Sequence, residues 1–593
     1  MPITAESVSY GAQIVGNCAE FRVWAPRART LTLRLLSAAS ADLPMRRAED
    51  GVFSLTAPGQ AGDRYFYVVD ENRPVPDPVS RLLPEGVHGP TEIVAPDAFL
   101  WNDRDWHGLE LRDYIIYELH VGTFTPQGTF AGIIERLDYL KSAGVSVIEL
   151  MPVAAFPGRR NWGYDGVSPY AVQASYGGPE GLKRLVNAAH AAGLGVVLDV
   201  VYNHFGPEGN YLPLLGPYLT ARHQTPWGEA VNYDGPDCDH VRRYVVENAL
   251  YWIREYHLDG LRLDAVQTIK DDSPTHILTE IQANVQRLGQ ELERKVCVIG
   301  ETDENDIRYV LPQSRCGLGL NAVWSDDFHH SVHAALTGER QGYYQDFGRK
   351  EQIVRALNQG FVFQGEIFQF WKRPRGTPVD SVPLLAHVIC TQNHDQVGNR
   401  AVGERLDVLV PRGASKLAAA LLLLAPHTPL LFMGQEYGEI APFQYFTDFS
   451  DPQLQKAVSE GRRNEFKEFG WSAEKVPDPQ DPATFESSKL RWPLSGQLSV
   501  SSDQSQPAAE MLDWYRKLIH LRRESVIQGE RTCRAELIDG AIVMQVPAEK
   551  PKIMLIAEFP DSRPHPVPEN WQLTLSSDED AYRVRVFCKH AAQ

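Results

Sequence analysis

Apolar and polar positions change texture twice along this chain. Up to about residue 95 they alternate with a period of two, as in "AEFRVWAPRARTLTLRLL" (19–36) and "GVFSLTAPGQAGDRYFYVVD" (51–70). Short alternating strands broken by Pro and Gly turns predict a small β-sandwich. The proline-rich "RPVPDPVSRLLPEG" (73–86) leads out of it.

From about residue 113 apolar runs alternate with helical spacing. The runs are "YIIYELHV", "VSVIELMPV", "GVVLDVVYN", "DGLRLDAV", "VCVIGE", "NAVWSD", "LAHVICTQNHD" and "PLLFMGQE". After the fourth, Ile277, Ile281, Val285, Leu288 and Leu292 recur at helical spacing, with Ser273 as the expected cap and Pro274 at the first helical position. Before it, Val241, Val245, Trp252 and Tyr256 mark another helix. Strand–helix alternation repeated eight times predicts a (β/α)8 TIM barrel, with a doubly wound sheet as the alternative. The aperiodic stretch 204–236 is expected to be an insertion after the third strand. "LAAALLLLAPHTPLLFMG" (417–434) is interrupted by Pro426 and Pro429 and reads as a helix followed by a buried strand, not a membrane span. "SSDQSQPAAE" (501–510) is polar and is expected to be a mobile connection. From about 530 the period of two returns in "AIVMQV", "KIMLIAEF", "WQLTLS" and "YRVRVFCK". The expected domains are a β-sandwich over 1–95, a barrel over 96–529 and a carboxyl-terminal β domain over 530–593.

Composition removes several function classes. The net charge of −18 excludes a nucleic-acid surface, which must be basic. The opening "MPITAESVSYGA" has neither the basic patch nor the apolar core of a secretory leader. Cys18, Cys238, Cys297, Cys316, Cys390, Cys533 and Cys588 are scattered, odd in number and without metal-ligand spacing, which fits free thiols in a reducing cytoplasm.

The fourth strand carries two charges on one face, because Arg262 and Asp264 are two residues apart. In a barrel the active site lies at the carboxyl ends of the strands. There the third strand delivers Asp199, Asn203 and His204, the fifth Glu301, and the seventh His394 and Asp395. Any single aspartate here is more often a strand-end cap or structural ion pair. Several converging carboxylates, however, repel one another and lose hydration unless function retains them. Such a group suggests glycoside hydrolysis, in which one ionised carboxylate attacks a sugar carbon and a second, protonated, donates to the leaving oxygen. A guanidinium beside Asp264 favours its charged form and suits a nucleophile. Glu301 ends an apolar strand, where lost hydration and nearby negative charge suit an acid. Asp395 is placed to hold hydroxyls and support the cationic transition state.

"DVVYNH" (199–204), "GLRLDAV" (260–266), "IGE" (299–301) and "NHD" (393–395) resemble, in order, the four short motifs of the alpha-amylase superfamily. The resemblance implies a retaining mechanism with Asp264 as nucleophile, Glu301 as acid/base and Asp395 as transition-state stabiliser. It also implies that His204, Arg262 and His394 contact the reacting sugar or the carboxylates, and that no metal or cofactor is required. Further stretches, "LLPEGVHGPTEIV" (82–94), "NWGYDGVSPYA" (161–171), "WSDDFHHSVHAALTGERQGYY" (324–344) and "FTDFSDPQLQKAVSEGRRNEF" (446–466), resemble those of the maltooligosyltrehalose trehalohydrolase family over nearly the whole chain. That resemblance implies hydrolysis of the α-1,4 bond next to the terminal trehalose unit of maltooligosyl trehalose. A glycogen branching enzyme shares the chemistry until a sugar hydroxyl, rather than water, resolves the intermediate.

Other candidates have ordinary readings alongside the functional ones. Tyr164 is placed by the motif match in the −1 subsite, whereas Trp162 is equally well explained as core. Asp165 binds a hydroxyl or caps a turn. His329 and His333 share a helix face, but no glutamate base or cysteine pattern accompanies them as a zinc site would require. Asp326 and Asp327 end the sixth strand, where they can face substrate. "FQYFTDF" (443–449) is a candidate wall of the site, and "EGRRNEF" (460–466) reads as a solvated helix face.

Overall fold

A computed structural model describes residues 10–36, 41–71, 73–95, 98–379, 382–468, 476–492, 502–567 and 569–589. Residues 1–9, read above for a leader, lie outside them. The amino-terminal alternation forms two antiparallel sheets. One is built around Cys18–Trp24 and Val52–Pro58, the other around Leu31–Leu35 and Arg64–Val69. Ala19, Phe21 and Val23 point inward from the first sheet and Leu31, Leu33 and Leu35 from the second. Phe21 meets Tyr65 edge-on at 4.9 Å across the sandwich.

The eight apolar runs become eight parallel strands: β1 (Ile116–Leu119), β2 (Val147–Leu150), β3 (Gly195–Val200), β4 (Gly260–Leu263), β5 (Cys297–Gly300), β6 (Ala322–Trp324), β7 (His387–Cys390) and β8 (Thr428–Phe432). They form a closed barrel in chain order, because β8 pairs with β1 (Ile116 opposite Leu430). Closure decides against a doubly wound sheet. Ile116, Val147, Val197, Ala322, Val388 and Leu430 fill the interior. Two residues further along, the same inward face of β1, β2 and β3 carries Glu118, Glu149 and Asp199. The interior therefore passes from apolar to charged toward the carboxyl ends.

The stretch 204–236 holds a short helix, Leu212–Leu215, and a hairpin, Leu219–Thr225 with Gly228–Val231. The helix after β4 begins at Ile277 instead of near Ser273, and His276 is its cap. Asp271 is responsible: its carboxylate accepts the N–H groups of Ser273 (2.9 Å) and Ile277 (2.6 Å) and holds the intervening residues in a loop. The leucine-rich run forms a helix, Arg412–Leu424, followed by β8. Every residue of the helix from Gly413 onward is buried, and it packs against the carboxyl-terminal sheet and the helix 502–521. Among the described residues no helix is long and apolar enough to cross a membrane.

The segment expected to be mobile differs from that reading. Ser501 lies outside the described residues, but Ser502–Leu521 is a helix. Ala508, Met511, Leu512, Tyr515, Leu518 and Ile519 bury one face of it, a helical period that continues beyond the polar opening. Five antiparallel strands follow, in the order 534–538, 541–546, 553–558, 582–589 and 571–579.

Candidate active site

Arg262 organises the mouth of the barrel. It is fully buried, and its Nη1 donates to both oxygens of Asp199 (2.9 Å each) and to Asp264 Oδ1 (2.8 Å). Its Nη2 stands 3.5 Å from Glu301 Oε2. Trp324 covers the guanidinium face, with 4.3 Å between the ring centroid and Cζ. Asp264 receives a second bond from Asn203 Nδ2 (2.8 Å). The residue after Asp264, Ala265, adopts a left-handed φ of 40°, a conformation that costs an L-residue about 1–2 kcal/mol. This turn aims the Ala265 N–H at Glu301 Oε2 (2.6 Å) and leaves Oε1 for a proton. Burial pushes the Glu301 carboxyl well above its ordinary value. Arg262 opposes the rise, while Asp264, Asp395 and Asp326 add to it.

A second chain of contacts runs around the barrel. His394 donates its backbone N–H to Glu118 Oε2 (2.9 Å), and its Nδ1 meets Oε1 at 2.5 Å. Burial disfavours the charge on this imidazole, but Asp395 and Glu118 outweigh it and raise its pKa to about 9. Its Nε2 meets the Tyr164 hydroxyl at 2.7 Å, and that hydroxyl donates to Asp199 Oδ2 (2.6 Å). A protonated His394 fixes the direction: both ring nitrogens donate, and Tyr164 in turn donates its O–H to Asp199. Burial lifts Asp199 to about 7, against the pull of Arg262. Asp395 sits at the start of the helix His394–Gly398 and is the most exposed of the carboxylates, held by Asn399 Nδ2 (3.1 Å). His204 Nδ1 meets Asn203 Oδ1 at 2.6 Å. Its ring stacks on Trp227 from the hairpin, at 4.4 Å and 13°. Burial keeps His204 below its ordinary value.

Beside Glu301 and Asp395 opens a cavity of about 280 Å³, lined also by Asp326, His330, Phe370 and Trp371. Sequence reasoning brought most of this group together: Asp264, Glu301, Asp395, Arg262, His204, His394 and Tyr164 share one rim. Asp165 is turned to Asn161, whose Nδ2 bonds it at 2.6 Å. Trp162 is core, stacked on Phe443 with its Nε1–H on the Gln444 carbonyl. Phe443 and Phe446 of the expected wall are fully buried beneath the site. Asp327 faces Arg375 (2.9 Å) and Asn305, and only Asp326 reaches the cavity. His329 bonds the Thr391 carbonyl and Tyr344, and His333 bonds Glu339. Arg462 of the charged helix contacts Asn399, which holds Asp395, so that face is not wholly solvated. Glu118, Glu149 and Trp324 were missed. Their only signal is a charged or indole side chain at the inward parity of an apolar strand.

A closed eight-stranded barrel with this carboxylate rim defines a glycosidase of the alpha-amylase type. Residues 94–213 match the model of the alpha amylase catalytic domain, and residues 9–86 match that of carbohydrate-binding module 48, the isoamylase N-terminal domain. More specifically, the chain belongs to the malto-oligosyltrehalose trehalohydrolase family. It is 47% identical over 530 residues to the malto-oligosyltrehalose trehalohydrolase of Saccharolobus solfataricus, covering 89% of each chain. A crystal structure of a Salmonella typhimurium protein described as an alpha amylase superposes with a TM-score of 0.86 at 39% identity, over 98% of this chain and 100% of that one. A 1,4-alpha-glucan branching enzyme of Corynebacterium jeikeium is more distant, 27% identical over 480 residues, covering 72% of this chain and 62% of that one.

Proposed function

We propose that the protein releases trehalose from maltooligosyl trehalose by retaining hydrolysis of the α-1,4 bond next to the terminal trehalose. Asp264 attacks the anomeric carbon of the adjoining glucosyl unit. Glu301 gives its proton to the glycosidic oxygen, and trehalose leaves with that proton. Water then attacks the anomeric carbon of the glycosyl–Asp264 ester while Glu301 takes a proton from that water; the C–O bond to Asp264 breaks, which frees the carboxylate and regenerates the acid. Asp395 supports the oxocarbenium-like transition state. His204, His394, Tyr164 and Asp165 are the proposed sugar contacts around Arg262. Phe370 and Trp371 offer aromatic faces to the leaving disaccharide. Residues 1–95, 96–529 and 530–593 are the proposed domains, and the seven free thiols support work in the cytoplasm.

The reading rests chiefly on Arg262, which bonds Asp264 through one nitrogen while the other stands beside Glu301, in surroundings that keep Glu301 a proton carrier. The test is incubation with maltooligosyl trehalose and, separately, with amylose. Free trehalose from the first supports the reading. A branched α-1,6 product from the second, without trehalose from the first, would make the protein a transferase.

A further inference from the structure

Glu149 has no part in the scheme above, yet it lies inside the barrel. It is 1% exposed, and its register neighbours are Glu118 on β1 and Val197 on β3. Neither of its carboxyl oxygens has a hydrogen-bond partner. Three further atoms of the barrel interior are buried without a hydrogen bond: Arg262 Nε, Arg262 Nη2 and Trp324 Nε1. Each such group costs about 1–3 kcal/mol if left unmet, and clustered orphans of this kind are where internal water sits. The set is complementary. The guanidinium and indole N–H groups can only donate, and a carboxyl group can accept.

Arg262 also needs what this cluster offers. Its Nη1 is spent on Asp199 and Asp264, and Trp324 covers its face. Its Nη2 makes no hydrogen bond but stands 3.5 Å from Glu301, whereas Nε has neither a hydrogen bond nor a facing carboxylate oxygen among the described residues. We propose that Glu149 is a positioning residue for the catalytic centre, anchoring Arg262 and Trp324 from inside the barrel through shared water. Glu149 does this as a neutral acid. Burial, reinforced by the charge of Glu118, holds its proton, and another negative charge would add to the repulsion around Asp199. Because Arg262 aligns Asp264 against Glu301, loosening its Nε edge impairs the bond-making step more than substrate capture. This inference rests on the proposed glycosidase reading.

The experiment compares Glu149→Leu, Glu149→Gln and Trp324→Phe with the wild-type protein, measuring kcat and KM on maltooligosyl trehalose across pH. For Glu149→Leu the expected result is a fall in kcat on the order of 10- to 100-fold, the cost of a misplacement of about 1 Å, with KM within about twofold. Glu149→Gln, which keeps an acceptor and a donor, restores kcat to within about threefold of wild type and leaves the alkaline limb unmoved. Wild-type kcat in Glu149→Leu overturns the proposal, as does a Glu149→Gln variant as impaired as Glu149→Leu. An alkaline limb displaced to lower pH in Glu149→Gln would mean that a negative charge had been removed, and overturns the neutral assignment. If Glu149→Leu does not fold, Trp324→Phe decides: it removes the other end of the network, and wild-type kcat there overturns the proposal. A wild-type protein that cleaves only plain maltooligosaccharide defeats the substrate reading alone, and the same comparison is then made on that sugar.

Discussion

Replacing Glu118 by Gln tests the electrostatics of the rim directly. His394 is surrounded by protein, and burial alone would make its imidazole neutral. Moving it from its ordinary 6.5 to about 9 favours the charged form by about 3 kcal/mol, and Asp395 and Glu118 must supply that after overcoming burial. Glu118 accepts from both the backbone N–H and Nδ1 of His394, whereas Asp395 is 3.5 Å away and partly in solvent. Without the Glu118 charge, burial prevails and His394 falls to 6.5 or below. At pH 7.5 about nine-tenths of the variant is then neutral at this position, where the wild type is charged. The Tyr164 hydroxyl loses its donor from Nε2, and its bond to Asp199 is no longer directed. The assay is kcat/KM for trehalose release between pH 5 and 10. The variant should show a new alkaline limb near or below 6.5, with activity about tenfold down at pH 7.5 and recovering toward pH 5.5. Stability has the same sign. A histidine with a raised folded value contributes fully below 6.5, and the contribution is lost as pH rises through about 9. Wild-type melting should therefore weaken between pH 6.5 and 9 by an amount absent from the variant. A variant profile equal to the wild-type profile times a constant would refute the reasoning.

Three other expectations are simpler to check. Asp264→Asn should abolish turnover, by about 10⁴-fold or more, with an unchanged circular dichroism spectrum and melting temperature within a few degrees; a nearly normal rate removes the nucleophile assignment. Gly398→Ala should cost about 1–3 kcal/mol and lower kcat, read by thermal melting and turnover, because its Cβ would lie 2.1 Å from Trp162 and must displace the helix carrying His394 and Asp395. Tyr164→Phe should raise the Asp199 value above about 7, since it removes a hydrogen bond that favours the ionised form. The loss of kcat/KM should then be deepest on the acid side and shallower near pH 8, and a pH-independent loss would contradict this.

Much of the barrel was legible because parallel strands buried on both faces read as short continuous apolar runs. All eight were visible, as were the charges at their carboxyl ends. The helix start after β4 was not legible, because Asp271 competes for the same N–H groups that Ser273 was expected to serve. The helix from Ser502 was hidden by its polar first turns, although its buried positions continue at helical spacing well past them. At the site, Arg262 and Asp264 were legible through strand parity, and Glu301 through its place at the end of an apolar strand. Glu118 and Glu149 obey the same parity but sit mid-run, where a lone glutamate in "IYEL" or "VIEL" gives no sign that its partners lie on other strands. Trp162 stood evenly between core and sugar contact, and Phe443 lay in a stretch read as a wall, because a sequence does not say which face of an aromatic ring is covered.

Beyond its first turns, where Arg412 and Lys416 pair with Glu579 of the terminal sheet, the Arg412–Leu424 helix carries only alanine and leucine. It packs against the Ser502–Leu521 helix and against the terminal sheet. A protein cut after residue 530 would therefore uncover a strip of alanine and leucine at the back of the catalytic body. Such a fragment should be recovered as aggregate, so the segment after residue 530 behaves as a lid over grease rather than a detachable appendage.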